Sequence, residues 1–339
     1  MEPAGPPIGI VHYGLGPIGL AVAALAAERP WLRPVAAVDV GEELRDRSLG
    51  ELLGRPGPAS PRVTAAYEPV AGAAVALLCT GSSLDRVAPQ IVELVDSGLN
   101  VVSTTEELSF PWEAHPRAAA EIDAAARRAG VTVLGTGINP GFAMDYLAIV
   151  LSAVAQRVDR VEVHRVQDAG TRRLPLQRKV GAGMTPEAFR AAVAERRLGH
   201  VGLAESAHLL AAALGWRLTG LDEAIEPICA EVPTPMAGGV VPAGHVLGLH
   251  QTAVGRAEDV EVVSLTLDMA VGAGPARDHV RLVGQPDLEL EVPGGLHGDV
   301  ATAAIVVNSI PRVLAAPPGL VTMAELAPPT PGPPGGRAG

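Results

Sequence analysis

The sequence predicts an α/β protein of two domains: an N-terminal domain with a parallel sheet, and an α+β domain with a mainly antiparallel sheet. The chain has 339 residues, enough for two domains of about 100–200 residues each. In its first part, short apolar runs alternate with Ala- and Leu-rich amphipathic runs, the pattern of a parallel sheet covered on both faces. After about residue 145, longer runs alternate with a period of two residues, as half-buried strands do.

The first domain is predicted to span residues 1–145. Its strands are near-continuous apolar runs, predicted at Ile8–Tyr13, Val35–Val40, Ala73–Cys79, Val101–Thr104 and Val131–Leu134. Its helices lie between several of these strands and are predicted at Pro17–Glu28, Leu84–Ser97 and Pro116–Ala129. Strands that are apolar on both faces belong to a sheet buried on both sides.

The second domain is predicted over residues 146–297. A strand at Arg160–Gln167 precedes two helices, one beginning at Thr185 and one over Leu203–Leu214, and three long alternating segments follow. In Glu261–Ala270 the apolar side chains share one face and the polar ones the other, which predicts a half-buried and antiparallel strand. A late helix is predicted over Val300–Leu314, and the Pro- and Gly-rich tail, 327–339, is predicted to be disordered.

Composition excludes several classes of protein. The formal net charge of −11 disfavours nucleic acid and anionic membrane surfaces as partners. No uncharged run approaches the ~18–20 residues of a membrane helix, and the N-terminus lacks the pattern of a signal peptide, so a cytoplasmic location is expected. The two cysteines form no pair with metal-ligand spacing, and the histidines show no HExxH spacing, so no metal site is expected.

The strongest motif is the loop Gly14-Leu15-Gly16-Pro17-Ile18-Gly19, which follows an apolar strand and precedes a helix. In such a GxGxxG loop the first glycine makes a tight turn, the second lets a diphosphate approach the backbone, and the third lets the helix pack closely on the strand. The free N–H groups at the helix start then bind the phosphates. The loop predicts a Rossmann dinucleotide-binding domain.

Asp39 ends the next predicted strand, 20 residues after Gly19. A carboxylate at this point accepts hydrogen bonds from the ribose hydroxyls of the adenosine and repels a 2′-phosphate. No arginine immediately follows Asp39, so NAD is favoured as the cofactor. NADP stays possible, because Arg45 or Arg47 can reach back toward the ribose.

Further candidate residues follow other strands, at the sheet edge where open α/β folds bind ligands. The segment Thr80-Gly81-Ser82 and Thr104 are expected to contact the cofactor. Two carboxylates, Glu106 and Glu107, follow the next strand. The stiff Gly135–Phe142 turn then brings the Asn139 amide, a further expected cofactor contact, and the aromatic ring of Phe142 to the same edge.

Six segments together resemble one family. They are GLGPIG, STTEEL, GINPGF, HRVQDAGTRRLPLQRKVGAG, GHVGLAES and HGDVATAAIVVNSIP. The chain resembles 2,4-diaminopentanoate dehydrogenase and the related native amine dehydrogenases, which in turn resemble dihydrodipicolinate reductase in fold. The resemblance covers nearly the whole chain outside both ends.

The resemblance implies a homodimer in which residues 298–326 return to the first domain. It implies reversible oxidative deamination of an amine, which in reverse is reductive amination of a ketone or aldehyde with ammonia. The family's catalytic glutamate corresponds to Glu106, with Glu107 held in reserve, and its pocket aromatic to Phe142. Four polar positions correspond to pocket-lining segments: His164, Arg165, His200 and Thr302.

A glutamate suits this chemistry. An alkylammonium must lose a proton before its carbon can release hydride to the cofactor, and an activated water must then hydrolyse the imine. A carboxylate in a partly desolvated crevice serves both steps.

Two classes of alternative stay open. The first is another reductase of the same fold: an imine reductase, or an enzyme like dihydrodipicolinate reductase or homoserine dehydrogenase. A semialdehyde dehydrogenase is less favoured, because it needs a nucleophilic cysteine and neither Cys79 nor Cys229 lies in a setting that would activate one. The second class is a non-catalytic sensor that binds NAD(H). Turnover of NADH that depends on ammonia separates an amine dehydrogenase from both.

Overall fold

The structure, a computed structural model, describes residues 6–55, 57, 60–171 and 174–332. The chain forms two compact units. Unit 1 combines Met1–Phe142 with His297–Gly339, and unit 2 is Ala143–Leu296. These bounds lie within three residues of the sequence-based domain limits. Of the tail predicted to be disordered, residues 333–339 lie outside the described part of the chain, and 327–332 carry no helix or strand.

The N-terminal part of unit 1 alternates strands and helices. Its strands are β1 (Ile8–Tyr13), β2 (Leu32–Val38), β3 (Val63–Thr64), β4 (Ala73–Leu78), β5 (Asn100–Ser103) and β6 (Thr132–Gly135). Its helices are α1 (Pro17–Ala26), α2 (Leu49–Leu52), α3 (Leu84–Asp96) and α4 (Pro116–Ala129). The predicted start of β2 at Val35 is three residues late, because Leu32-Arg33-Pro34 already pair with β1.

Unit 2 contains four helices and eight strands among its described residues. The helices are α5 (Tyr146–Ser152), α6 (Leu174–Lys179), α7 (Pro186–Ala194) and α8 (Leu203–Ala213). The strands are β7 (Arg157–Asp168), β8 (Gly220–Cys229), β9 (Thr234–Met236), β10 (Gly239–Val241), β11 (Val246–Ala257), β12 (Val260–Ala270), β13 (Arg277–Gln285) and β14 (Leu288–Pro293). The sequence predicted three long strands after α8, and the structure has five, with the short pair β9–β10 in addition.

The main sheet of unit 2 runs in the order β14-β13-β7-β12-β11-β8. Every neighbouring pair is antiparallel except β7 and β12, so the predicted α+β domain with a mainly antiparallel sheet is confirmed. The expectation that Glu261–Ala270 is antiparallel holds for its pairing with β11 and is wrong for its pairing with β7. Alternation of apolar side chains reports half-burial and does not fix strand direction.

The chain returns to unit 1 through α9 (Gly298–Ala315) and β15 (Gly319–Val321). The sheet of unit 1 is fully parallel in the order β15-β6-β5-β4-β1-β2-β3, which confirms the predicted Rossmann-type α/β fold. Among the described helices, only α9 is long and apolar enough to cross a membrane. It packs against α1 and the sheet and buries Val306, Val307 and Ile310, as a core helix does.

Candidate functional site

The glycine loop of unit 1 connects β1 to α1, and its three glycines occupy three different environments. Gly14 has φ +88°, a conformation that strains any other residue. A Cβ on Gly19 would lie 1.8 Å from the carbonyl oxygen of Gly14, whereas a Cβ on Gly16 would meet no atom within 4 Å. The loop is therefore closed against its own backbone at Gly19 and open at Gly16.

These features fit a dinucleotide. Gly16 is the N-cap of α1 and Pro17 its first residue, and the N–H groups of a helix's first turn have no partner within the helix. Such groups, together with the positive end of the helix dipole, bind phosphate. The open space beside Gly16 leaves room for a diphosphate against them.

Asp39 lies directly after β2 and connects that strand to the glycine loop. Its Oδ2 accepts a hydrogen bond from the Leu15 N–H at 2.6 Å, and its Oδ1 accepts one from the Gly41 N–H at 2.8 Å. The Leu15 side chain is buried, so Leu15, predicted to bind the cofactor, has its amide on Asp39 and its side chain in the core. Each Asp39 oxygen keeps a second lone pair, which a ribose hydroxyl can use.

The residues after β4 and β5 are connected to each other. The Thr105 hydroxyl donates to the Gly81 carbonyl at 2.9 Å, and the Thr104 N–H donates to the Leu78 carbonyl at 3.0 Å. The hydroxyl of Thr80 donates to Oε1 of Gln90 at 2.6 Å. The predicted cofactor segment, Thr80 to Ser82, is thus held beside the predicted catalytic turn.

Glu106 and Glu107 begin a single 3₁₀ turn, Glu106–Leu108, after β5. Their environments differ. The Glu107 carboxylate accepts a hydrogen bond from the Leu84 N–H at 2.6 Å and lies 3.0 Å from Nε2 of His115. The carbonyl of Glu106 accepts hydrogen bonds from the Ser109 hydroxyl at 2.8 Å and the Ser109 N–H at 3.1 Å. The contacts of Glu107 attach its carboxylate to the start of α3 and to His115, which favours a structural role for it.

The turn after β6 meets α9 within unit 1. The Ile138 N–H donates to the Thr302 hydroxyl at 3.2 Å, so a residue more than 160 positions later lies against the Gly135–Phe142 turn. Asn139 is buried and Phe142 is partly exposed. Thr136, which is not among the residues predicted above, is 3% exposed, and its hydroxyl has no hydrogen-bond partner among the described residues. Its position directly after a strand of the parallel sheet is the sequence feature that could have predicted it as a site residue.

The candidates in unit 2 have partners of their own. His164 and Arg165 are neighbours on β7 and therefore face opposite sides of the sheet. Nε2 of His164 lies 2.7 Å from the Asp268 carboxylate, whose other oxygen lies 2.6 Å from Nδ1 of His250. These two imidazoles lower the pKa of Asp268 against the opposing effect of burial, which raises it.

Arg165 is buried on the other face of β7. Its guanidinium forms an ion pair with the fully buried Asp278 and donates to the Leu296 carbonyl at 2.7 Å. This environment favours a structural role over substrate binding. For His200, the backbone N–H and carbonyl are both bound by the side chain of Gln251, at 2.8 and 2.9 Å.

Two groups near the glycine loop, the buried His12 and the partly buried Cys79, have pKa values outside the ordinary range. Burial lowers the pKa of His12 to about 4, and desolvation raises the pKa of the Cys79 thiol to about 12. A thiol with so high a pKa is a poor nucleophile at neutral pH, which disfavours a semialdehyde dehydrogenase that would use Cys79. Within the described ranges, no three His, Cys, Asp or Glu side chains are arranged to hold a metal ion.

Comparison with known proteins identifies the family of the chain. Residues 142–332 match the model of the 2,4-diaminopentanoate dehydrogenase C-terminal domain. The chain is 32% identical to 2,4-diaminopentanoate dehydrogenase of Acetoanaerobium sticklandii over 332 residues, which cover 94% of this chain and 92% of that protein.

Among solved structures, the amine dehydrogenase from Mycobacterium smegmatis superposes with a TM-score of 0.82 at 25% identity, covering 95% of this chain and 97% of that one. A dihydrodipicolinate reductase from Paenisporosarcina shares the fold, with a TM-score of 0.51 at 14% identity over 93% of this chain and 97% of that one. The family resemblance noted in the sequence is confirmed: the chain belongs to the 2,4-diaminopentanoate dehydrogenase family.

Proposed function

We propose that the protein is an NAD(P)-dependent amine dehydrogenase, which deaminates an amine oxidatively and, in reverse, aminates a ketone or aldehyde with ammonia. One observation carries the proposal: Glu106 follows β5 at the same sheet edge, within unit 1, as the open glycine loop around Gly16. The names of the relatives, 2,4-diaminopentanoate dehydrogenase and amine dehydrogenase, support this choice among reductases of the fold.

The proposed role of Glu106 is that of acid and base. A bound nicotinamide cofactor supplies the hydride acceptor. Glu106 takes a proton from the alkylammonium, so that the neutral amine carbon can release hydride. After this proton has passed to solvent, the same carboxylate activates the water that hydrolyses the imine, and ammonia is released. A base positioned in this way typically contributes ~10²–10⁴-fold in rate.

The remaining candidates complete the proposed site. Gly16 and the first turn of α1 hold the diphosphate, and Asp39 binds the adenosine ribose, which favours NAD over NADP. Thr136 and Asn139 lie after β6, where their polar groups would contact the nicotinamide end of the cofactor. Phe142 would form an apolar wall of the substrate pocket.

The decisive experiment is a panel of ketones and aldehydes incubated with NADH and ammonium, with NADH absorbance as the readout. An amine dehydrogenase oxidises NADH only when both the carbonyl and ammonium are present. The Gly16→Val variant provides the matched control, since it is expected to fold without binding the cofactor.

The alternatives give different results in the same assay. An imine reductase consumes NADH with preformed imines, and a carbonyl reductase consumes it without ammonium. A sensor binds NADH and turns nothing over. NADH binding with no oxidation under any condition would reject the enzymatic proposal.

We also propose that the protein works as a homodimer in the cytoplasm. In unit 2, one face of the six-stranded sheet carries side chains that are partly exposed in the single chain, including His164, Thr252 and Thr266, whereas Leu249, Ala253 and other residues of the opposite face are buried. A second copy would cover this partly exposed face. Light scattering after size-exclusion chromatography measures the molecular mass, and the mass of one chain would reject the dimer.

A further inference from the structure

The Glu107 carboxylate lies at the start of α3, where a capping group is expected. Ser83 is the N-cap of α3, yet its side chain makes no capping hydrogen bond. The Leu84 N–H is bound instead by Glu107, from the turn that follows the neighbouring strand β5. A carboxylate at this position also interacts favourably with the positive end of the helix dipole. Glu107 therefore caps a helix that is distant in sequence.

Two further contacts join the same segments. The Thr105 hydroxyl donates to the Gly81 carbonyl at 2.9 Å, and the Glu107 N–H approaches the Ser82 carbonyl at 3.5 Å. The residues on both sides of Glu106 are thus tied to the loop between β4 and α3. The Glu106 backbone has little freedom to move independently of that loop.

His115 holds the Glu107 carboxylate from the opposite side. Its Nε2 lies 3.0 Å from Glu107 and its Nδ1 lies 3.4 Å from the exposed Asp85. The imidazole is mostly buried, with 18% of its side chain exposed, and His115 is itself the N-cap of α4, with its N–H on the Pro111 carbonyl at 2.8 Å. Because the backbone of His115 is fixed at the start of α4, its imidazole can hold the Glu107 carboxylate in place.

We propose that His115 and Glu107 form a positioning pair that holds the Glu106 turn in its reactive place, which rests on the proposed role of Glu106. His115 orients the Glu107 carboxylate, Glu107 attaches the turn to the start of α3, and the attachment sets where the Glu106 side chain begins. Neither residue exchanges a proton with substrate. Their effect on the reaction passes through the position and the electrostatic surroundings of Glu106.

The pair also separates two negative charges. Glu106 and Glu107 are adjacent, and like charges in proximity disfavour each other's ionised forms. The His115 imidazole and the Leu84 N–H hold the Glu107 carboxylate at the start of α3. When His115 is lost, the Glu107 carboxylate is no longer held in this position, and its charge can approach Glu106.

The test uses His115→Leu, with His115→Gln as the conservative variant, because a glutamine amide can still donate to Glu107. His279→Leu is the matched control: its Nε2 lies 2.6 Å from Glu289 on the edge of the unit 2 sheet, so it removes a similar pair elsewhere. The readouts are kcat and KM for amine and NAD, the pH profile of kcat/KM, and hydrogen exchange of the Leu84 and Glu107 amides.

In His115→Leu we expect kcat to fall by about 10- to 100-fold, the cost of a misplaced reacting group, while KM for NAD stays unchanged. The acidic limb of the pH profile should move to higher pH, and both amides should exchange faster. His115→Gln should restore most of kcat, and His279→Leu should match the unmodified protein. If His115→Leu does not fold, His115→Asn, whose side chain is too short to reach Glu107, takes its place with the same expectations.

Faster exchange of the two amides with unchanged kcat and an unchanged pH limb would overturn the positioning role. So would an equal loss of kcat in His279→Leu. The exchange measurement needs no turnover. An unmodified protein that never deaminates an amine therefore rejects the proposed function, whereas unchanged exchange in His115→Leu rejects the pair itself.

Discussion

The Leu15 N–H donates to the Asp39 carboxylate at 2.6 Å across 24 positions of sequence. This bond attaches the glycine loop after β1 to the end of β2. Asp39 consequently has two tasks: it shapes the loop that receives the diphosphate, and it presents acceptor oxygens to a ribose. A substitution at Asp39 must change both.

Asp39→Ser is expected to narrow the preference for NAD over NADP, because it removes the carboxylate that repels a 2′-phosphate. It should also lower the stability of the loop by about 1–3 kcal/mol, since the Leu15 and Gly41 amides lose their acceptor. The measurements are kcat/KM for both cofactors and thermal unfolding. Glu42→Ser removes an exposed carboxylate nearby and should leave both unchanged. Equal kcat/KM for NAD and NADP in the unmodified protein would contradict the assignment.

Gly16→Val should abolish cofactor binding and leave the fold intact, because an added Cβ meets only open space. Gly19→Val should instead prevent stable folding, because its Cβ would collide with the Gly14 carbonyl. Circular dichroism and NADH fluorescence titration distinguish the two results. A folded Gly16→Val protein that binds NADH normally would mean that the diphosphate lies elsewhere.

Glu106→Gln should leave NADH binding unchanged and lower amine oxidation by ~10²–10⁴-fold, because glutamine keeps the shape and cannot take a proton. Glu107→Gln should have a smaller effect, since its amide oxygen can still accept from the Leu84 N–H. Steady-state kinetics of both variants shows which substitution lowers turnover more. Reversed phenotypes would assign the base to Glu107, and unimpaired turnover in both would remove the carboxylate mechanism.

Phe142→Ala should shift activity toward bulkier carbonyl substrates, because losing an aromatic wall enlarges the pocket. The readout is kcat/KM across a series of ketones of increasing chain length. Trp216→Ala, which removes a partly exposed aromatic after α8, serves as the control and should keep the original profile. An identical profile for Phe142→Ala would return Phe142 to a structural role.

His12 should make the protein less stable in mild acid. Its pKa is about 4 in the folded chain against an ordinary value of 6.5, so the unfolded chain binds the proton more readily. The stabilisation that neutral His12 contributes to the folded state is therefore complete above pH 6.5. It is lost as the pH falls toward 4, by about 3 kcal/mol in total. Urea unfolding between pH 7 and 4 measures this slope. His12→Gln should flatten it, His279→Gln should not, and equal slopes in all three proteins would contradict the prediction.

Local patterns in the sequence predicted the elements that carry their own signal. The glycine loop with Pro17, the apolar strands and the late helix all lie within a few residues of their predicted places. Strands β3 and β15 have two and three residues, too short for any periodicity, and their pairing depends on distant strands. The capping of α3 by Glu107 and the contact of Thr302 with Ile138 arise from tertiary packing, so no local sequence pattern predicts them.

The return of α9 and β15 to unit 1 affects how the chain folds while it is being synthesised on the ribosome. Domains generally fold in order as the chain emerges, the N-terminal one first. Here the first 142 residues leave the ribosome with the outer edge of β6 unpaired and the α1 surface uncovered until the last segment arrives. Unit 2 is continuous in sequence and can fold before unit 1 is complete. The nascent chain thus exposes the open edge of β6 until β15 has been synthesised.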